Sequence, residues 1–198
     1  MPGITRIHIE DPHWNRNNDW RLKLAYDHET LANRLYRWAF SNIGIIIDSE
    51  EEVINVGREE AAARYDWAEG IDVILQSGGA RMTLQEKFLT FHSSTATFEE
   101  RKSSGKPGAW YYCTAQYYFV GYTRKYWDTS TRALFKNPII AFQDWIILDF
   151  PAMRRYDAMK LIPFGYNKNR HDHQHASFRF IAFNCIPPPC IIAMKERL

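Results

Sequence analysis

Residues 70–91, GIDVILQSGGARMTLQEKFLTF, restrict the fold more than any other part of the chain. Two apolar runs in this segment are joined by the pair Gly78-Gly79. A glycine pair at such a place is typical of a two-residue turn, because the central positions of that turn need positive φ. The segment therefore predicts an antiparallel β-hairpin whose strands enter the protein core.

The turn also determines which polar side chains meet. Residues face each other across the hairpin when their numbers add to 157, so we expect Asp72 opposite Gln85. Lys87 projects to the same side of the sheet as Gln85. A four-residue loop centred on the same glycines preserves this register, whereas an odd-length loop brings Glu86 or Leu84 opposite Asp72. The expected result is an acid, an amide and a lysine on one face.

Such a patch is suited to a divalent cation. Mg²⁺ or Mn²⁺ takes oxygen ligands, which the Asp72 carboxylate and the Gln85 amide oxygen supply, and water completes the shell. A lysine beside the ion can orient or deprotonate a water while the ion offsets charge on a phosphate. The alternative is a cross-strand salt bridge between Asp72 and Lys87 at the sheet surface.

The rest of the chain predicts helices and strands in alternation. Apolar residues at three- and four-residue steps predict a helix over 20–42, with Asp27 as an internal N-cap after a break near Tyr26. Further helices are predicted over 58–64, 107–116 and 151–159, and strands over 43–47, 117–122, 142–149 and 177–185. Residues 5–10 are predicted to form an arm or an edge strand, and residues 92–106 a polar loop. We therefore expect a single α/β domain over 1–198, with a mixed central sheet flanked by helices.

Composition narrows the class of protein. With 45% hydrophobic and 24% charged residues, the chain has the composition of a soluble globular protein. No apolar run is long enough to span a membrane, and the first residues do not resemble a secretory signal, so we expect a cytoplasmic protein without a membrane partner. The three cysteines lack Cys-x-x-Cys spacing, which argues against a disulfide framework and a zinc ribbon. The sequence has no nucleotide, dinucleotide or serine-hydrolase motif.

The order of an acid, a hairpin and a [DE]-x-Lys motif resembles the PD-(D/E)XK nuclease superfamily. The matching residues are Ile71-Asp72 and Gln85-Glu86-Lys87, and the similarity is greatest to Holliday-junction resolvases and restriction endonucleases. The resemblance implies an αβββαβ restriction-endonuclease-like core over residues 20–123, to which residues 124–198 add strands and a helix. It further implies a Mg²⁺- or Mn²⁺-dependent deoxyribonuclease that binds DNA, with a homodimer as one candidate assembly.

The resemblance assigns roles to the hairpin residues. Asp72 and Gln85 would hold the metal together with the main-chain carbonyl of Glu86, and Lys87 would position the attacking water. Ile71 replaces a proline that has no chemical role, but Gln85 replaces an acid and removes one negative charge from the site. A nuclease-fold module that binds nucleic acid or protein without cleavage is therefore the alternative function, and an unrelated α/β domain is a third.

The superfamily also has an acid on its first helix, near the metal. Glu29 is the candidate here because it lies ahead of the apolar stripe of the predicted helix, while Glu59 and Glu60 are rivals closer in sequence to Asp72. A solvated carboxylate that interacts with the helix dipole explains Glu29 equally well. Gln116 matches an auxiliary glutamine of some relatives.

Two groups of basic residues are candidate phosphate contacts, since such contacts supply much of the affinity for nucleic acid. The candidates are Arg101, Lys102 and Lys106 in the polar loop, and Lys168 and Arg170 further along the chain. Three histidines alternate in residues 171–175 and could bind a transition metal on a strand, but a polar loop explains them more simply.

Overall fold

The computed structural model describes residues 20–52, 70–89, 94–102, 104–123, 141–168 and 176–195, with the backbone alone for 20–30, 49–52 and 168. The predicted edge strand at 5–10, the predicted helix at 58–64 and the histidines of residues 171–175 lie outside these ranges. Glu59, Glu60 and Arg170 also lie outside the described residues.

The described residues form three α-helices and nine strands, with up to four strands in succession. The helices are α1 (Trp20–Ser41), α2 (Ala109–Tyr112) and α3 (Phe150–Ala158). The strands are β1 (Ser49–Glu52), β2 (Val73–Ser77), β3 (Ala80–Leu89), β4 (Thr95–Arg101), β5 (Tyr117–Tyr122), β6 (Asp144–Asp149), β7 (Gly165–Lys168), β8 (Ser177–Ala182) and β9 (Ile191–Met194). Two 3₁₀ turns, Phe183–Cys185 and Pro188–Cys190, precede β9.

The strands form two sheets. The large sheet has six strands in the order β1-β2-β3-β5-β6-β9, and the small sheet has three in the order β4-β8-β7. In the large sheet β3 and β5 are parallel, and the other neighbours are antiparallel. The small sheet is antiparallel throughout. The predicted α/β architecture with a mixed sheet is therefore confirmed.

Both faces of the large sheet are covered, which explains why β5 and β6 are almost continuously apolar. α1 covers one face through Ala32, Tyr36, Ala39 and Phe40, which share a core with Val73, Leu75, Leu84, Phe119 and Ile147. The opposite face packs against α2, α3 and the small sheet. This second core includes Ile74, Tyr118, Val120, Ile146, Leu148, Phe98, Trp110, Phe150 and Ile181.

The structure differs from the prediction at both ends of the first helical region. α1 is continuous from Trp20 to Ser41, so the predicted break near Tyr26 is wrong. The predicted strand at 43–47 is also wrong, because these residues form the turn that ends the helix. The N–H groups of Ile43 and Ile45 both donate to the Phe40 carbonyl, at 3.1 and 2.9 Å, and Gly44 has φ 81°. Strand pairing begins only at the acidic segment β1.

β4 lies within residues 92–106, so the predicted loop is wrong for this part of the chain. Ala96 and Phe98 are fully buried and alternate with partly exposed residues, which is the pattern of a half-buried strand. The polar and small residues on either side of Phe98 concealed this pattern in the sequence.

Two further elements are shorter than predicted. The helix predicted over 107–116 is only the single turn α2, because Pro107 forms a β-bridge with Arg101 and the helix follows Gly108. The strand predicted over 177–185 ends at Ala182, where a 3₁₀ turn begins.

Tyrosine hydroxyls attach the small sheet to the large one. Tyr122 of β5 donates from its hydroxyl to the Thr95 carbonyl at 2.6 Å, and Tyr118 donates to the Thr97 carbonyl at 3.4 Å. Both acceptors belong to β4, an edge strand of the small sheet. These bonds fix β4 against the face of the large sheet that bears Gln85 and its neighbours.

Arg179 of β8 joins the small sheet to α2 and α3. Its Nε and Nη2 donate to Glu100 Oε1 at 3.2 and 3.0 Å, and its Nη1 donates to Asp157 Oδ2 at 2.6 Å. Nη2 also donates to the Tyr111 hydroxyl at 2.9 Å, and the guanidinium carbon lies 5.1 Å from the centre of the Trp110 ring. Burial lowers the pKa of Arg179, but the bonds to Glu100 and the charge of Asp157 outweigh it, so the pKa is raised.

Candidate functional site

The hairpin has the register that its sequence predicts. β2 and β3 pair from Val73 with Leu84 to Ser77 with Ala80, so facing residue numbers add to 157. Gly78 and Gly79 form the two-residue turn with φ values of 53° and 81°. Residues other than glycine, asparagine and aspartate rarely adopt such positive φ values. The predicted register is therefore confirmed.

Asp72 lies one residue before β2, directly beside Gln85. The Asp72 N–H donates to the Leu84 carbonyl at 2.9 Å. Its Oδ2 accepts the Glu86 N–H at 2.7 Å and also accepts the amide N–H of Gln85. Two N–H donors therefore converge on one oxygen of the carboxylate. The predicted contact between Asp72 and Gln85 is thus present.

Gln85 directs its amide nitrogen toward Asp72. Its Nε2 also lies 3.3 Å from the main-chain oxygen of Glu86. Its Oε1 lies on the side of Gly70, 3.1 Å from the place that a Cβ at that glycine would occupy. A metal bound between Asp72 and Gln85 would need the amide turned by half a rotation, so that the oxygen replaces the nitrogen. This exchange keeps the shape of the side chain, because the amide is planar and nearly symmetric.

Gly70 and Cys113 close one side of this patch, and neither was a candidate from the sequence. The Cys113 thiol donates to the Gly70 carbonyl at 3.0 Å. Burial raises the pKa of Cys113 to about 11, so the thiol is protonated at neutral pH and is not a nucleophile. Gly70 has φ 61°, and a Cβ there would lie 3.0 Å from Cys113 Cβ, so both the backbone conformation and the space favour glycine.

Lys87 extends from β3 toward the small sheet. Its Nζ lies 5.4 Å from the centre of the Phe178 ring, on β8. Burial lowers the pKa of Lys87, and the charge of Glu99 on β4 opposes that shift. The charge that raises the pKa of Lys87 is therefore that of Glu99 and not that of Asp72, the partner in the alternative cross-strand ion pair. Sequence reasoning missed Glu99 because it assigned residues 92–106 to a loop.

The environment of Lys87 predicts a pH dependence of stability. Below its lowered folded pKa, Lys87 is charged in both states and its burial costs free energy. Between that pKa and the ordinary value of 10.5, the unfolded chain binds more protons, so the free energy of unfolding rises with pH. We expect Lys87→Met to be more stable than wild type by about 1 kcal/mol at neutral pH, and to lose this rise. Urea denaturation at neutral and alkaline pH measures both effects.

The matched control for that experiment is Lys106→Met. Lys106 is exposed, so its replacement should leave the pH profile of wild type intact. Parallel profiles for wild type and Lys87→Met would show that Lys87 is not desolvated in the folded protein.

Glu86 projects to the other face of the large sheet. Its Oε1 accepts the Tyr36 hydroxyl of α1 at 2.6 Å. Burial, together with the Glu86 charge and this hydrogen bond, raises the pKa of Tyr36 well above its ordinary value. Only the main chain of Glu86 takes part in the Asp72 patch, as the superfamily resemblance implies. Glu29 lies two turns before Tyr36 on α1, and its side chain is outside the described part of the structure.

Gln116 is bound to Thr83 of β3. Its Oε1 accepts the Thr83 N–H at 3.0 Å, and its own N–H donates to Thr83 Oγ1 at 3.1 Å. These bonds hold the start of β5 against β3. The described contacts of Gln116 are therefore structural. Its partner Thr83 lies two residues before Gln85 on β3.

The small sheet brings together two groups of basic residues that are distant in sequence. Arg101 of β4 and Lys168 of β7 both pair with Ser177 of β8, so they flank one row of the sheet. The Lys102 N–H donates to the Lys106 carbonyl at 2.9 Å, directly beyond β4. We call Arg101, Lys102, Lys106 and Lys168 the basic end of the small sheet.

The donor set around Asp72 suits an ion that keeps much of its water. Among the described residues, no three His, Cys, Asp or Glu side chains converge on a point. Asp72 supplies one charged oxygen and the Glu86 carbonyl one neutral oxygen, and Gln85 would add a second neutral oxygen once its amide is turned. Such a set fits Mg²⁺, which is often bound through one or two carboxylates and several waters.

Comparisons with known proteins give no family for this chain. No protein-family model, no curated protein and no solved structure matches it. No helix in the described residues is long and apolar enough to cross a membrane.

Proposed function

We propose that the protein is a metal-dependent nuclease that hydrolyses DNA phosphodiester bonds. Its proposed active site consists of Asp72, Gln85 and Lys87. The observation that supports the proposal most is the hairpin register, which places Asp72 in contact with Gln85 and leaves Lys87 on the same face of β3. The order of elements also agrees: β1, β2 and β3 are antiparallel neighbours that follow α1, and β5 returns parallel to β3 after α2. With β4 set aside in the small sheet, this order supports the αβββαβ arrangement that the PD-(D/E)XK resemblance implies.

Each residue of the patch has a chemical task in this proposal. Asp72, Gln85 and the Glu86 carbonyl would hold Mg²⁺ or Mn²⁺, which offsets charge on the phosphate and activates water. Lys87 orients that water, and its lowered pKa makes the neutral amine more accessible than in an exposed lysine. Glu99 balances the charged form of Lys87 from the small sheet.

The test is cleavage of supercoiled, linear and branched DNA by the purified protein with Mg²⁺, Mn²⁺ or a chelator. The proposal predicts cleavage that depends on the ion. Lack of cleavage of all three substrates with either ion would contradict it.

A second candidate function is a module that binds nucleic acid or protein without cleavage. This function is favoured by the hydrogen bonds of Asp72, whose Oδ2 already accepts from the Gln85 amide and the Glu86 N–H. Gln85 also lacks the charge that the metal site of an active relative would have. In this function the hairpin residues hold the fold together and the metal has no part.

Gln85→Glu distinguishes the two functions. Two carboxylates then face each other, so we expect the midpoint of thermal unfolding to fall without metal and to be restored by Mg²⁺, with at least about tenfold tighter Mg²⁺ binding by calorimetry. Gln76→Glu, which adds the same charge elsewhere on β2, is the control. Cleavage that appears only in Gln85→Glu would support the non-catalytic module, whereas cleavage by wild type supports the nuclease.

A further inference from the structure

The face of the small sheet that packs on the large sheet becomes open at one end. Along β8, Ile181 and Arg179 project to this face and are 2% and 9% exposed. Ser177 is two residues before Arg179, so it projects to the same face, and it is partly exposed. Arg101 and Lys168 pair with Ser177 from either side, so the register places them in one row of this face. The basic end of the small sheet therefore lies one row beyond Arg179.

Two exposed tyrosines lie beside this row. Tyr166 of β7 pairs with Arg179 and is 62% exposed, and Tyr111 of α2 is 55% exposed. The ring centres of Tyr166 and Tyr111 lie 5.5 and 5.6 Å from the guanidinium carbon of Arg179. Each ring is thus held by a buried cation and still presents much of its surface to solvent. We call Tyr111, Tyr166 and the basic end together the tyrosine surface.

The charge of the tyrosine surface favours an anionic partner. Arg101 and Lys106 are exposed, and within the described ranges neither forms an ion pair. The neighbouring acids, Glu100 and Asp157, are both paired with Arg179. Positive charge at the basic end is therefore left unbalanced by the acids beside it, and this charge is complementary to phosphates.

α2 connects the tyrosine surface to the candidate active site. Tyr111 is two residues before Cys113, whose thiol donates to the Gly70 carbonyl at that site. Lys102 Nζ lies 4.4 Å from the centre of the Tyr112 ring, so the basic end also contacts α2. The tyrosine surface and the candidate active site are therefore joined by one helical turn.

Exposed aromatic rings beside unpaired cations suit a strand whose bases are free. Unpaired bases stack on tyrosine rings, and arginine and lysine contact the phosphates. Bases in an intact duplex stack on each other and leave no face for a protein ring. We infer that the tyrosine surface binds single-stranded DNA, with a base stacked on Tyr166 and phosphates at the basic end. This inference rests on the proposed function and names its substrate class.

The test measures binding in a chelator, so that it does not depend on cleavage. Fluorescence anisotropy follows a labelled oligothymidylate of about 15 nucleotides, with the duplex and oligouridylate of the same length as comparisons. We expect Tyr166→Ala to weaken binding of the single strand about 5- to 100-fold, because it removes the ring. Tyr166→Phe keeps the ring and should bind within about threefold of wild type. Thermal unfolding of both variants, measured in parallel, shows that they are folded.

Arg101→Ala tests the basic end separately. We expect it to weaken binding and to reduce the slope of log affinity against log salt by about 0.7, as for one lost phosphate contact on a single strand. Arg34→Ala and Trp38→Ala are the matched controls for a cation and an aromatic ring. Both residues are exposed on α1, which covers the opposite face of the large sheet. Neither control should change the affinity.

The outcomes separate this inference from the proposed nuclease. Binding of the single strand that requires the Tyr166 ring, without cleavage in Mg²⁺ or Mn²⁺, supports the tyrosine surface and contradicts the nuclease. Cleavage by wild type, together with unchanged binding by Tyr166→Ala, supports the nuclease and overturns the tyrosine surface. The inference is also overturned when wild type does not bind the single strand, or when it binds the duplex or the RNA more tightly. Competition by oligoglutamate as strong as that by the oligonucleotide would overturn it as well, because charge alone would then explain binding.

Discussion

Asp72→Asn is expected to reduce the proposed metal-dependent DNA cleavage by about 10³-fold. The change removes the negative charge from the patch, while the remaining amide oxygen can still accept the Glu86 N–H at the position of Oδ2. The loss should therefore come from weaker metal binding and weaker stabilisation of charge at the phosphate, which together are worth several kcal/mol. Initial cleavage rates at saturating Mg²⁺ and Mn²⁺, with thermal unfolding measured in parallel, give the result.

Glu86→Gln is the matched control for Asp72→Asn. It neutralises the next acid along the hairpin, but that side chain bonds to Tyr36 on the opposite face of the large sheet. The variant keeps the main-chain carbonyl and should cleave at close to the wild-type rate. If Asp72→Asn and Glu86→Gln cleave equally well, Asp72 does not hold the metal.

Arg179→Met is expected to lower the free energy of unfolding by about 3 kcal/mol. The side chain is 11% exposed and forms ion pairs with Glu100 and Asp157, whose side chains are 23% and 26% exposed. Removal of one member of a buried ion pair costs about 3–5 kcal/mol, and the partial exposure of both acids places this case at the lower end. Urea denaturation of the two proteins measures the difference.

The raised pKa of Arg179 also predicts how its contribution to the free energy of unfolding depends on pH. A cation with a raised folded pKa contributes stability that is present below the unfolded pKa and is lost only as pH rises through the folded value. Both values lie far above neutral pH, so Arg179 itself should add no pH dependence near neutrality.

Arg155→Met is the control for Arg179→Met, because Arg155 is exposed on α3 and its replacement should change the free energy of unfolding by less than about 0.5 kcal/mol. A similar loss in both variants would show that the Arg179 contacts contribute no specific stability.

Local patterns in the sequence predicted the hairpin correctly. Gly78 and Gly79 restrict the turn, the turn fixes the register, and the register brings Asp72 to Gln85. Each of these steps depends on residues that are close in sequence. Strands β1, β2 and β3 are consecutive in the chain and adjacent in the large sheet for the same reason, since neighbouring elements in the chain are mostly neighbours in space.

The parts that the sequence did not predict depend on distant contacts. Glu99 lies near Lys87 because β4 pairs with β8, almost 80 residues further along the chain. Ile43 and Ile45 have high strand propensity, but the helix end at Phe40 takes their N–H groups. In these cases tertiary pairing and helix termination outweigh local propensity.

The hydrogen bond from the Glu86 N–H would compete with the proposed metal for the Asp72 carboxylate. Oδ2 holds the main chain of β3 at the point where β2 has ended. A cation that draws the same oxygen away would release that N–H, so metal binding and local backbone order in β3 would be thermodynamically linked. The hairpin would then be most rigid in the metal-free protein, and the free energy of loosening it would set the lower limit on the metal concentration to which the protein responds.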